Sequence, residues 1–80
     1  MIDAKALKNY SRHLTGLNDD ELIDAFHQAK IGHETAADLD KDQALGKFYH
    51  AESTIVGRFG FGEHMKRYFA KYPELPPAKP

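Results

Sequence analysis

Five histidines, His13, His27, His33, His50 and His64, are the side chains of this 80-residue chain best suited to acid–base or metal chemistry. Two metal ligands on one helix face must stand three or four residues apart. The nearest pair, His27 and His33, is six apart, and the adjacent Glu63 and His64 point in different directions. The spacing therefore predicts no metal site, and the histidines are expected to be solvated or partly packed. Ser11, Thr15, Thr35, Ser53 and Thr54 stand in no nucleophile motif, and no glycine-rich phosphate loop follows a strand. Gly57, Gly60 and Gly62 read as a helix stop and a hinge. No catalytic residue, no cofactor and no enzymatic activity are expected.

Binding chemistry is better represented. Arg58, Lys66, Arg67 and Lys71 interleave with Phe59, Phe61, Tyr68, Phe69 and Tyr72. Basic groups can contact phosphates and exposed aromatic rings can stack on bases, so this segment is a candidate nucleic-acid surface. Tyr68, Phe69 and Tyr72 also lie at the spacing of a helix core face, which competes with that use. Residues 44–58 can be forced onto a helix-turn-helix with a turn near His50-Ala51, but the apolar stripe crosses that point without a phase shift. One continuous helix is expected there.

That stripe holds one residue at odds with its neighbours. At 100° per residue, the apolar side chains of 44–59 fall in an arc of about 160°. Glu52 lies at its centre, among Phe48, Ile55, Val56 and Phe59. A buried carboxylate needs a partner, because leaving it unpaired costs several kcal/mol. One resolution is internal: Lys30 or His33 on the neighbouring helix pairs with Glu52, or the middle of the stripe is wet. The other is external. The face is then incompletely covered by its own chain, and Glu52, Phe48, Ile55, Phe59 and Phe61 meet a basic group on a partner protein or a second copy.

The elements that must position these residues read as helices throughout. Leu7, Tyr10, Leu14 and Leu17 share one helical face, with Gly16 as the stop. Asn18 and Glu21 form a capping box, with Leu17 and Leu22 at the staple positions. Leu22, Ile23, Phe26 and Ala29 line the second helix, which Gly32 is expected to end. After an ambiguous stretch at 33–39, Asp40 and Gln43 repeat the box, with Leu39 and Ala44 as its staple. Ala44, Leu45, Phe48, Tyr49, Ala51, Ile55, Val56 and Phe59 carry the third helix as far as Gly60-Phe61-Gly62. Met65, Tyr68, Phe69 and Tyr72 define a short fourth that stops at Pro73. No segment alternates with period two. The expected fold is all-α, a compact bundle of three main helices plus a short C-terminal fourth helix. The helical domain spans 1–72 and an extended proline-rich tail 73–80.

Composition agrees: 41% hydrophobic, 29% charged and a net charge of −1 suit one small globular domain. Charge is divided unevenly. Residues 1–40 carry four basic against eight acidic side chains, a balance of −4, and residues 41–80 carry seven against four, a balance of +3. With no cysteine there is no disulfide framework, and Met1–Lys5 begins no long apolar stretch, so a cytoplasmic protein without a membrane span is expected. Leu45-Gly46-Lys47-Phe48-Tyr49-His50-Ala51 resembles a stretch of the Hha/YmoA nucleoid-associated regulators, small helical proteins that bind a DNA-binding partner. In that family the tyrosine-x-alanine step is followed by an acidic residue, a histidine and an arginine, whereas here it continues Glu52-Ser53-Thr54.

Two functions are therefore expected to compete. The first is a small non-catalytic adaptor, inhibitor or regulator that binds another protein, in a bacterial, phage or plasmid setting suggested by size and lack of cysteine. The second is a nucleic-acid-associated protein using Arg58, Lys66, Arg67 and Lys71.

Overall fold

A computed structural model describes residues 2–73 as four helices: α1 (Ala4–Thr15), α2 (Asp19–Thr35), α3 (Lys41–Phe59) and α4 (Glu63–Lys71), with a 3-10 turn at Asp38–Asp40 before α3. Among the described residues there is no strand, and the protein is an all-α bundle. Among the described residues no helix is long and apolar enough to cross a membrane. Most of the 73–80 segment lies outside the described residues.

Local signals set most helix ends. Asp3 caps α1 by accepting from the Ala6 amide at 3.0 Å. At the start of α2 the capping box is complete: Asn18 Oδ1 accepts from the Glu21 amide at 2.8 Å, and Glu21 Oε1 accepts from the Asn18 amide at 3.0 Å. Gly60 and Gly62 hold φ of 95° and 92°, conformations that L side chains rarely adopt, and between them they turn the chain from α3 into α4.

Two expected ends differ. Gly32 does not stop α2, which runs on to Thr35. Gly32 has no positive φ and continues the helix; glycine permits a left-handed stop such as Gly60 makes at the end of α3 but does not impose one. The start of α3 falls where expected but by other means. The Asp40 side chain makes no capping bond, and Leu39, 89% exposed, staples nothing. Gln43 instead reaches 40 residues back. Its Oε1 accepts from the Asp3 amide at 2.7 Å and its Nε2 donates to the Asp3 carbonyl at 3.2 Å, tying the start of α3 to that of α1.

α2 and α3 form the central pair, with α1 packed on α3 and α4 laid against both. Leu14, Leu22, Phe26, Ala51, Ile55 and Tyr68 make the core, with Tyr10, Leu17, Phe48, Val56, Phe59 and Met65 packed against it. Complete burial of a leucine or isoleucine contributes about 1.5–3 kcal/mol, so Leu14, Leu22 and Ile55 anchor three of the four helices. α1 approaches α3 closely at Gly46, where an added Cβ would stand 2.7 Å from Leu7 Cδ1. α3 is unbroken from Lys41 to Phe59, which removes the helix-turn-helix alternative. His64, buried at the start of α4, accepts from the Gly62 amide through Nδ1 at 3.2 Å and so closes the turn.

Candidate functional site

The α3 stripe divides into a covered and an open half. Ala51 and Ile55 have no exposed surface, so Ile55 is core and offers nothing to a partner directly. Phe48 is half-buried, its ring stacked on Phe26 at 5.6 Å. Phe59 is half-buried beneath the Arg67 guanidinium, which stands 4.6 Å from its ring centre. Tyr49 is 57% exposed and Phe61, at the apex of the α3–α4 turn, 90% exposed.

Glu52 stands between these halves. It is half-buried and makes no hydrogen bond or ion pair among the described residues. Its oxygens reach water: the buried side-chain polar atom without a partner, among the described residues, is Nδ1 of His33. Lys30 donates to Glu34 at 2.9 Å, one turn along its own helix, and His33 turns its ring to Phe48 at 5.7 Å. The middle of the stripe is therefore wet, and a solvated carboxylate sits amid half-buried rings. Glu34, held by Lys30, has its pKa lowered by that hydrogen bond.

The basic quartet is not arrayed as one surface. Arg58 turns back to the α1–α2 junction, donating to the Leu17 carbonyl at 2.6 Å and facing Asp19 at 3.5 Å. Lys71 lies between Asp20 at 2.8 Å and Asp24 at 2.7 Å. Arg67 pairs with Glu63 at 3.1 Å. Lys66 is exposed and forms no ion pair among the described residues. The charge imbalance between the two halves of the sequence is thus largely met inside the molecule, where the acidic start of α2 faces the basic ends of α3 and α4.

That junction contains a network which reading along the sequence missed. Asp20, Asp24 and His27 follow one another at four and three residues on α2, and Tyr68, Lys71 and Tyr72 at three and one at the end of α4, with Tyr72 its C-cap. His27 Nδ1 and the Tyr68 hydroxyl lie 2.7 Å apart, and the His27 ring stacks on Tyr72 with centres 3.8 Å apart. The Tyr72 hydroxyl donates to Asp24. Hydrogen bonds from Lys71, then Tyr72, hold the Asp24 carboxyl below its ordinary pKa. Those same contacts with Asp20 and Asp24 raise Lys71, and the Asp24 bond raises Tyr72. The signal in the sequence was one set of acidic and imidazole groups within two turns and one set of phenol and ammonium groups within two turns. It is informative only once α2 and α4 are known to be neighbours.

None of these groups lines either of two shallow clefts. One, of about 580 Å³, is bounded by α1 and His50; the other, of about 490 Å³, by Tyr10, Gln28, Gly32, Gln43 and Lys47. Burial raises the pKa of Tyr10 at the second. Among the described residues no three His, Asp or Glu side chains gather to hold a metal ion. No known protein family matches the chain, and neither a well-characterised protein nor a solved structure shows significant similarity to it. The likeness at Leu45–Ala51 is accompanied by no wider match.

Proposed function

We propose that the chain is a small non-catalytic interaction protein that binds another protein through the open half of the α3 stripe, with Glu52 at its inner edge, Phe48 and Phe59 beside it, and Phe61 at the rim. The observation that carries this reading is the solvated Glu52 carboxylate among half-buried rings. Such an arrangement contributes little to the monomer's stability but can select a partner that brings a basic group to an apolar seam. Ile55 supports the surface from beneath. Replacing Glu52 by leucine is expected to change folding stability by less than about 0.5 kcal/mol in chemical denaturation, as for a solvated surface position. It should also increase self-association measured by light scattering, because the apolar patch grows. A loss of several kcal/mol in both Glu52→Leu and Glu52→Ala, with association unchanged, would make Glu52 a structural residue and end this reading.

Nucleic-acid binding by Arg58, Lys66, Arg67 and Lys71 has less support, because three of the four are engaged with carboxylates of their own chain. Fluorescence anisotropy with a single-stranded oligonucleotide at low salt checks it. Binding that weakens with salt, and that Lys66→Ala and Arg67→Ala reduce, would bring this reading forward.

A further inference from the structure

Lys30, Lys41, Arg58, Arg67 and Lys71 each meet a carboxylate of the chain. The cations of α1 do not. Lys5, Lys8 and Arg12 are exposed and make no hydrogen bond or ion pair among the described residues. The reason lies in the sequence of that helix, AKALKNYSRHLT, which holds no acidic residue and so offers no partner one turn away. Asp3, just before it, is occupied as its cap. At 100° per residue the three cations fall within about 60° of one another, and the row climbs α1 in steps of about 4.5 and 6 Å.

This row borders the larger of the two clefts, of about 580 Å³, which Lys8, Arg12, Ser11, Thr15 and His50 line and to which Leu7, packed at Gly46, gives an apolar floor. No residue of α2 lines it, so the acidic start of α2 lies outside it. Thr15, Thr35 and Thr54 each donate to a carbonyl one turn back on their own helices. The Ser11 hydroxyl makes no such bond, and the His50 ring forms no hydrogen bond among the described residues. The cleft therefore presents two cations, a hydroxyl and an imidazole, with no carboxylate and no Phe or Tyr ring in its lining.

We propose that the α1–α3 cleft binds the phosphodiester backbone of a single-stranded nucleic acid, with Lys5, Lys8 and Arg12 on successive phosphates and Ser11 donating to a phosphate oxygen. Arginine and lysine supplemented by a hydroxyl are the donor set of backbone contacts, and cations in a row match a ligand whose charge repeats along its length. With no Phe or Tyr ring in the cleft the bases are not stacked, so binding is independent of sequence. The site shares no residue with Arg58, Lys66, Arg67 and Lys71, and it lies apart from Glu52.

Fluorescence anisotropy of the full chain with a labelled homopolymeric single strand, at increasing salt, tests this. Each phosphate contact on a single strand contributes about −0.7 to the slope of log K against log salt, so three give about −2. Lys8→Ala/Arg12→Ala alters only exposed positions and keeps the fold. It should weaken binding at least about tenfold at low salt and bring the slope to about −0.7. Lys66→Ala/Arg67→Ala should change neither, and strands of different base should bind within about twofold of one another. In an NMR titration the amides of Ser11, Arg12 and His50 should shift. Absence of binding at low salt overturns the proposal, as does wild-type affinity in Lys8→Ala/Arg12→Ala. An acidic peptide of equal charge that binds as tightly as the strand also overturns it, and would assign the cleft to an acidic partner protein. None of these measurements involves Glu52, so their outcome is separate from that of the α3 stripe.

Discussion

α1 and α4 are both held to the central pair, by opposite means. α1 is held by shape: Leu7 lies against the notch at Gly46, and Leu14 is fully buried. Its polar ties to α3 are few: the Asp3–Gln43 pair at the helix start, Arg58 donating to the Thr15 carbonyl at 3.5 Å, and Lys47 over the Tyr10 ring at 5.6 Å. α4 contributes two buried rings, His64 and Tyr68, and depends more heavily on ions and hydrogen bonds: Lys71 with Asp20 and Asp24, Tyr72 with Asp24, and His27 with Tyr68. Apolar contact gains from excluded water and is insensitive to moderate changes in pH or salt. Ion pairs near the surface are screened by salt and depend on protonation. One small bundle therefore contains a helix fixed under ordinary conditions and a helix whose attachment solution conditions can tune.

The sharpest separation should come from the apolar side. Leu14→Ala empties a fully enclosed site and is expected to cost about 2–5 kcal/mol in chemical denaturation, with loss of protection throughout the bundle. If the loss were below about 1 kcal/mol, the α1 contact would be collapsible, and the contrast with α4 would disappear.

A smaller effect is expected at the polar side. Tyr68→Phe keeps the ring against Phe26 and removes only the hydroxyl that meets His27. It should cost about 0.5–1.5 kcal/mol, read by denaturation, with hydrogen exchange accelerated in α4 before the other helices. Uniform acceleration across all four helices would mean that α4 is not a separable element.

The smallest effect is conditional on pH. Asp24 titrates lower in the folded protein than its ordinary value of about 3.9, so its contribution is present above that value and fades as pH falls through the folded one. Lys71 and Tyr72 are shifted upward, so their contributions hold through neutral pH and are lost only under strongly alkaline conditions. α4 amides should therefore lose protection on acidification below about pH 4 while those of α1 and α3 hold, and Asp24→Asn should remove most of that pH dependence. Equal acid sensitivity in α1 would place the responsible carboxylates elsewhere.

What could be read along the chain was whatever depends on near neighbours. The Asn18–Glu21 box, the Gly60 and Gly62 turn, the long α3 and the faces of all four helices follow from residues within a turn or two of each other. Such geometry forms whether or not the rest of the protein is present. Even there, Gly32 shows the limit: glycine permits a left-handed turn without requiring one, and the chain beyond it continued as helix. Tertiary structure alone decided the rest. Gln43 serves Asp3 rather than its own helix start because α1 and α3 lie side by side. The acidic and basic halves largely neutralise one another because α2 meets the ends of α3 and α4, and charge composition carries no information about which ends meet. Glu52 could be placed at the centre of its stripe by helical geometry. That it stays solvated was settled by competition: Lys30 finds Glu34 one turn away on its own helix, and His33 turns its ring to Phe48. A partner one turn away is already oriented by the helix and costs less entropy to engage than one across an interface.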